Sequence, residues 1–172
     1  MIRSSGLHTA TTRPGDSAIW AALGELYGIW GNRWDAGKLP LADDAYRQAT
    51  ALAPNRALLY TAWGMVYLEG GQLDQAADKF RQAANLDATG GYAFSHLADA
   101  ELAQRHVAEA LAAYQQAAHW EPTLSYAHLG LARCYWQLGR QEAAESALEQ
   151  ALALDPGNAV ALALQQEMNA GP

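Results

Sequence analysis

A period of 34 residues governs this chain. Pro54, Ala88, Pro122 and Pro156 recur at that spacing, and each closes a similar stretch: ATALAPN, AANLDAT, AAHWEPT and ALALDPGN. On the same frame Ala42, Ala76, Ala110 and Ala144 coincide, as do Ala49, Ala83, Ala117 and Ala151. Between each pair of alanines stands Tyr46, Phe80, Tyr114 or Leu148. A fixed period of this length marks an array in which one supersecondary unit stacks on the next. The small residues let a second helix approach closely, and the large one fills the gap beside them.

The first half of each unit repeats too. WAALGELY (20–27), YTAWGMVY (60–67), FSHLADAE (94–101) and HLGLARCY (128–135) begin with an aromatic or imidazole ring. Leu or Trp follows three residues later, then Gly or Ala, and then Tyr in three of the four. Offsets of 0, 3, 4 and 7 lie on one helical face. Each unit therefore reads as two amphipathic helices joined by a tight turn, and the fold class is all-α. Gly71 and Gly139 mark two of those turns, and Arg105 takes the place in the third.

These residues, Trp20-x2-Leu23-Gly24-x2-Tyr27 followed by the Ala, aromatic, Ala and Pro series, resemble the tetratricopeptide repeat family over roughly residues 17–158. Glu101 in place of Tyr, His128 in place of the ring and Ala88 in place of Pro depart from the pattern. The resemblance implies a right-handed superhelix, an α-solenoid of stacked antiparallel helix pairs. One pair cannot bury its own apolar face, so four pairs share a core. The expected division is a flexible tail at 1–16 and a single domain at 17–172. That domain holds repeats at 17–56, 57–90, 91–124 and 125–158 and a capping helix at 159–169. In the cap, Val160, Leu162 and Leu164 are expected to pack, with Gln165, Gln166 and Glu167 facing water.

The first repeat is longer than the others. Trp20 and Pro54 are 34 residues apart, whereas Tyr60 and Ala88, Phe94 and Pro122, and His128 and Pro156 are each 28 apart. The six extra residues fall within GIWGNRWDAGKLP, residues 28–40. Trp20, Leu23, Tyr27, Trp30 and Trp34 step by 3 and 4, which extends the first helix toward Gly37, with Pro40 opening the next. Gly28 and Gly31 oppose that reading, since each costs about 1 kcal/mol relative to Ala inside a helix. Extended helix and irregular loop both stand at this point. Trp30 and Trp34 either cover the end of the first pair or anchor a partner.

The resemblance implies a concave groove lined by the first helices. The matching positions are Ala21 and Glu25; Thr61, Met65 and Glu69; Ser95 and Asp99; and Leu129, Arg133 and Gln137, with Tyr92, Tyr126 and Trp136 near the edge. Some family members grip a terminal carboxylate with Lys, Asn and Arg at such places. Here Arg133 is the sole cation among them, which speaks against that clamp. With a net charge of −7, a peptide of some basic character is the expected partner, and nucleic acid is not.

Little else in the chain points to chemistry. No histidine pair has the i, i+4 spacing of a helical metal site, and no cofactor motif is present. His128 reads as a packed, hydrogen-bonded core residue and Cys134 as a buried, inert thiol. Asp43 and Asp44, like Glu142 and Glu145, read as solvated helix faces. With no catalytic constellation the expectation is a non-catalytic scaffold that binds a protein or peptide, cytoplasmic by default. Two alternatives stand beside it. One is a soluble accessory domain of a membrane-anchored protein, since SAIWAALGELYGIWG (17–31) is weakly similar to the repeat portion of bacterial O-antigen polymerase or ligase-like proteins. The other is a self-assembly module that forms a homo-oligomer.

Overall fold

The computed structural model describes residues 15–170, so the expected tail lies almost wholly outside the described residues. All regular structure there is helical: α1 (Ser17–Arg33), a 3-10 turn (Ala36–Lys38), α2 (Leu39–Leu52), α3 (Ala57–Glu69), α4 (Leu73–Leu86), α5 (Gly91–Ala103), α6 (Val107–Trp120), α7 (Ser125–Gln137), α8 (Gln141–Leu154) and α9 (Ala159–Ala170). The all-α reading holds. The chain forms two compact units that divide between Asp87 and Ala88.

In the first unit α1 packs on α2 and α3 on α4. Close approach is achieved by glycine against an aromatic ring. A Cβ on Gly24 would sit 2.7 Å from the Tyr46 ring, and one on Gly64 would sit 2.7 Å from Phe80. Both rings are buried. The small-against-large pairing expected from the repeat frame is therefore physical contact.

The inserted stretch is mostly helix. α1 has 17 residues, against 13 in α3, α5 and α7, and so gains about one turn. It ends at Arg33, four residues short of Gly37. Asp35 then accepts the Gly37 N–H at 3.0 Å in the 3-10 turn, and Pro40 sits in the first turn of α2, where its missing N–H costs nothing. The two glycines that argue against a helix turn out to be the reason it packs. A Cβ on Gly28 would lie 2.5 Å from a Val66 methyl, and one on Gly31 would lie 2.6 Å from Leu39. Beyond them the Asn32 amide donates to the Val66 carbonyl at 2.9 Å, tying the extension to α3. The aromatic stripe ends at Tyr27. Trp30 is 44% and Trp34 71% exposed, because the buried line of α1 runs through Gly24, Gly28 and Gly31 rather than along the tryptophans.

The second unit holds α5–α9. Its core gathers Ala98, Ala110, Tyr114, Leu131, Ala132, Leu148 and Leu164. Gly130 admits the Tyr114 ring, where a Cβ would lie 2.3 Å away. His128 is buried, and its Nε2 lies 2.8 Å from the Pro122 carbonyl, so the ring packs as expected and is hydrogen-bonded. Glu101, which replaces Tyr, is buried and pairs with His106 Nδ1 at 3.0 Å.

Arg105 adopts φ +66°, in the left-handed region, like Gly71 at +71° and Gly139 at +67°. In all three turns the next N–H returns to the helix. Gln72 donates to Tyr67 at 2.8 Å, His106 to Glu101 at 2.9 Å and Arg140 to Tyr135 at 2.9 Å, the bond that closes a left-handed helix end.

The C-terminal helix packs differently from expectation. Ala161, Leu164 and Met168 are buried, whereas Val160 and Leu162 are 58% and 39% exposed. A stripe of i, i+3, i+7 is what one helical face allows; the expected i, i+2, i+4 set is not on one face. Gln165, Gln166 and Glu167 are exposed, and the Asn158 side chain caps the helix by accepting from Val160 and Ala161 at 3.1 Å.

Candidate protein-binding face

In the first unit Glu25 and Glu69 are exposed, while Thr61 and Met65 are half-buried. Glu25 lines a cleft of about 280 Å³ with Ala21, Arg56, Leu58 and Ala62, floored by Tyr46. Burial raises the Tyr46 hydroxyl pKa well above the ordinary tyrosine range, and the charges of Glu25 and Glu69 add to the effect. Those two carboxylates thus face a phenol that stays protonated.

In the second unit the expected groove residues separate. Asp99, Arg133 and Gln137 line one cleft of about 440 Å³, together with Leu102, Ala103 and Arg105. Ser95 and Leu129 do not reach a surface. Ser95 is fully buried, on the inward side of α5 with Ala93, Ala98 and Ala100, and its hydroxyl finds no hydrogen-bond partner. Leu129 is 5% exposed and belongs to the core, because α7 is packed by α5, α6 and α8 at once. Trp136 packs partly against that core.

Asp99 is the polar hub of this face. Tyr114 donates to its Oδ1 at 2.5 Å, Tyr126 donates to its Oδ2 at 2.6 Å, and His96 Nδ1 stands 3.6 Å from Oδ2. The pKa values of both phenols are driven far up. For Tyr114 burial acts first and then the Asp99 charge; for Tyr126 burial is followed by the Asp99 hydrogen bond. Cys134 is fully buried, and burial pushes its thiol up to about 11, so it is protonated near neutrality.

A second hub was not legible as such. Asp43, expected to be solvated like Asp44, accepts from Trp63 Nε1 at 2.8 Å and from the Tyr67 hydroxyl, and pairs with Arg47 at 3.3 Å. Trp63 stacks between Tyr46 and Tyr67, with ring centroids 5.9 and 6.3 Å away, and the Lys79 ammonium lies 3.7 Å from the Trp63 centroid. Of the three equivalent positions, Ala77 and Leu111 are buried and apolar, whereas Glu145 is acidic and exposed. The frame gave no clear signal, since an acidic residue at this place is exposed in the fourth repeat and bonded in the first.

Trp30 and Trp34 meet cations: Lys38 lies 5.2 Å from the Trp30 ring centroid and Arg33 lies 6.0 Å from that of Trp34. Among the described residues no group of three or more His, Cys, Asp or Glu side chains is placed to hold a metal. No described helix is long and apolar enough to cross a membrane.

Comparison with known proteins gives the family. Two tetratricopeptide repeat models match, at residues 32–93 and 101–168. Among solved structures the chain is similar to YrrB, a repeat protein with an unusual peptide-binding site (20% identity, TM-score 0.72, 97% of this chain and 83% of that one). It is also similar to MamA (16%, 0.74, 90% and 87%). A third likeness is to the first repeat domain of Spaghetti (RPAP3) bound to the HSP90 peptide SRMEEVD (21%, 0.65, 67% and 91%). At these identities the likeness shows the fold, an α-solenoid. No curated protein sequence matches. None of these matches is to a glycan polymerase or ligase, and that resemblance gains no support. The repeat frame, its three left-handed turns and the two matched segments together show that the chain belongs to the tetratricopeptide repeat family.

Proposed function

We propose that this chain is a non-catalytic scaffold that binds a protein segment along the exposed faces of its first helices. The observation that carries the reading is the cleft on the second unit, where Asp99, Arg133 and Gln137 from two successive first helices line one concavity. Its polar groups are prepared for recognition rather than chemistry. The carboxylate is fixed by two phenols that stay protonated, and the nearby thiol is protonated and buried. A concave, mixed surface with a few placed polar groups suits a peptide ligand.

Selection from a library of ten-residue peptides, followed by fluorescence anisotropy, tests this. Selected peptides should bind the wild type saturably, and Gln137→Ala with Arg133→Ala should weaken them at least tenfold while the circular dichroism spectrum is unchanged. Peptides that bind the double variant as well as the wild type would place the binding surface elsewhere. No selection above background would remove the scaffold reading itself.

A further inference from the structure

The turn at Arg105 is at odds with its sister turns. Three turns share one backbone path, and two of them use glycine, the residue that enters the left-handed region without a steric penalty. The third holds an arginine there at φ +66°. Long side chains rarely adopt that conformation, and such outliers persist where the surrounding structure or a function requires them. Arg105 has a place to act, because it lines the cleft that Arg133 also lines.

Neither guanidinium makes a hydrogen bond or ion pair among the described residues, and both residues are exposed. The carboxylate nearest to them in the cleft, Asp99, is occupied by the hydroxyls of Tyr114 and Tyr126 and forms no ion pair with either arginine. The surroundings make this more unusual. Residues 88–172 contain nine acidic residues and three arginines, and two of those three are in this cleft.

We infer that Arg105 and Arg133 form an anion-recognition site for a protein segment that carries acidic side chains. The inference rests on the scaffold reading above and narrows it. Two unpaired guanidiniums share the cleft with the single carboxylate of Asp99, which leaves it net positive, and the planar fork of each matches a carboxylate in two-point contact. The sequence departs from the family's terminal-carboxylate clamp, so the carboxylates are assigned to side chains within the segment. The site revises the basic character expected of the partner from net charge alone: the charge of the whole chain does not describe this cleft.

Arg105→Gly supplies a test in which two readouts move in opposite directions. The backbone of that turn is relieved, so the melting temperature should rise by a few degrees, while the site loses one guanidinium. C-terminally amidated ten-residue peptides are selected on the wild type, on Arg105→Gly and on Arg133→Gln. The wild type should enrich peptides that carry two or more Glu or Asp residues. Replacing the acids in a selected peptide by their amides should weaken binding at least tenfold, as should either arginine variant. Peptides without acidic enrichment that still lose affinity with Gln137→Ala would overturn this site and leave the scaffold standing. No selected peptides at all would overturn both. A phosphoserine peptide that binds more than tenfold tighter than its Glu counterpart would reassign the site to phosphate. Unchanged affinity in Arg105→Gly would remove Arg105 from it, and an unchanged or lower melting temperature would refute the strain argument.

Discussion

Gly28→Ala separates local helix preference from packing. Placed in an exposed helix, the change would stabilise by about 1 kcal/mol, since alanine is the better helix former. In α1 the new methyl would lie 2.5 and 2.7 Å from the two Val66 methyls. Valine is stiff about χ1, and Val66 is only 8% exposed, so it cannot swing away. Overpacking of this kind costs roughly 1–3 kcal/mol, which outweighs the propensity gain and leaves a net loss of about 1 kcal/mol. The sign should reverse once the obstacle is gone. In a Val66→Ala background, which is itself destabilised by the lost methyls, Gly28→Ala should stabilise by about 0.5–1 kcal/mol, because the methyl now fills vacated space. The coupling between the two sites is therefore on the order of 2 kcal/mol, well above the scatter of independent sites. Urea unfolding of the four proteins, followed by circular dichroism at 222 nm and fitted with a shared slope, measures it. If Gly28→Ala has the same effect in both backgrounds to within about 0.5 kcal/mol, the glycine is not a packing notch and the account of the extension fails.

Other outcomes follow from the two polar hubs and the buried groups. Asp99→Ala strips the acceptor from two phenols, one of them fully buried, and should cost about 2–3 kcal/mol in urea unfolding, with Tyr126→Phe costing less. Tyr46, Tyr67, Tyr114 and Tyr126 all have folded pKa values raised above 10 by burial. Their contribution is complete below pH 10 and lost as pH rises through the folded values, so stability should fall from about pH 10 upward. Tyrosinate absorbance at 295 nm from these four should then appear together with the loss of helix. Cys134 should resist iodoacetamide at pH 8 in the native protein and react promptly in urea, and rapid native labelling would contradict its burial. Trp34→Ala should change stability by less than about 0.5 kcal/mol, since the ring is 71% exposed, as measured by thermal unfolding.

The repeat frame made most of the local structure legible. Helix pairs, the three left-handed turns, the aromatic rings against small residues and the packed His128 all follow from what recurs at 34 residues. What escaped depends on neighbours that periodicity does not encode. Ser95 and Leu129 flank a core stripe in sequence but lie on helices buried on more than one side. Trp30 and Trp34 keep a step of 3 and 4, yet the face that packs in the extension is drawn by the glycines beside them. Asp43 takes its donors from 20 and 24 residues away, across a helix boundary, and no local pattern announces Trp63 and Tyr67 as its partners. Of the expected groove positions on the second unit, Asp99, Arg133 and Gln137 reach the cleft. Arg105 joins them from a turn that the sequence marks only by its missing glycine.

The amide of Asn32 on the carbonyl of Val66 has a consequence for modularity. Repeat proteins are commonly recombined by exchanging, duplicating or deleting whole periods, on the premise that every unit presents the same two surfaces. The helix pair at 17–52 breaks that premise. Its extra turn recognises the end of one particular neighbour, through a notch at Gly28 cut for a valine and an amide cut for a main-chain oxygen. A copy of this pair inserted further along would meet Ala100 or Cys134 where it is shaped for Val66, and a standard pair in its place would leave α3 without its clasp. The pair carries an address, and the array can be extended by duplication only from units that lack one.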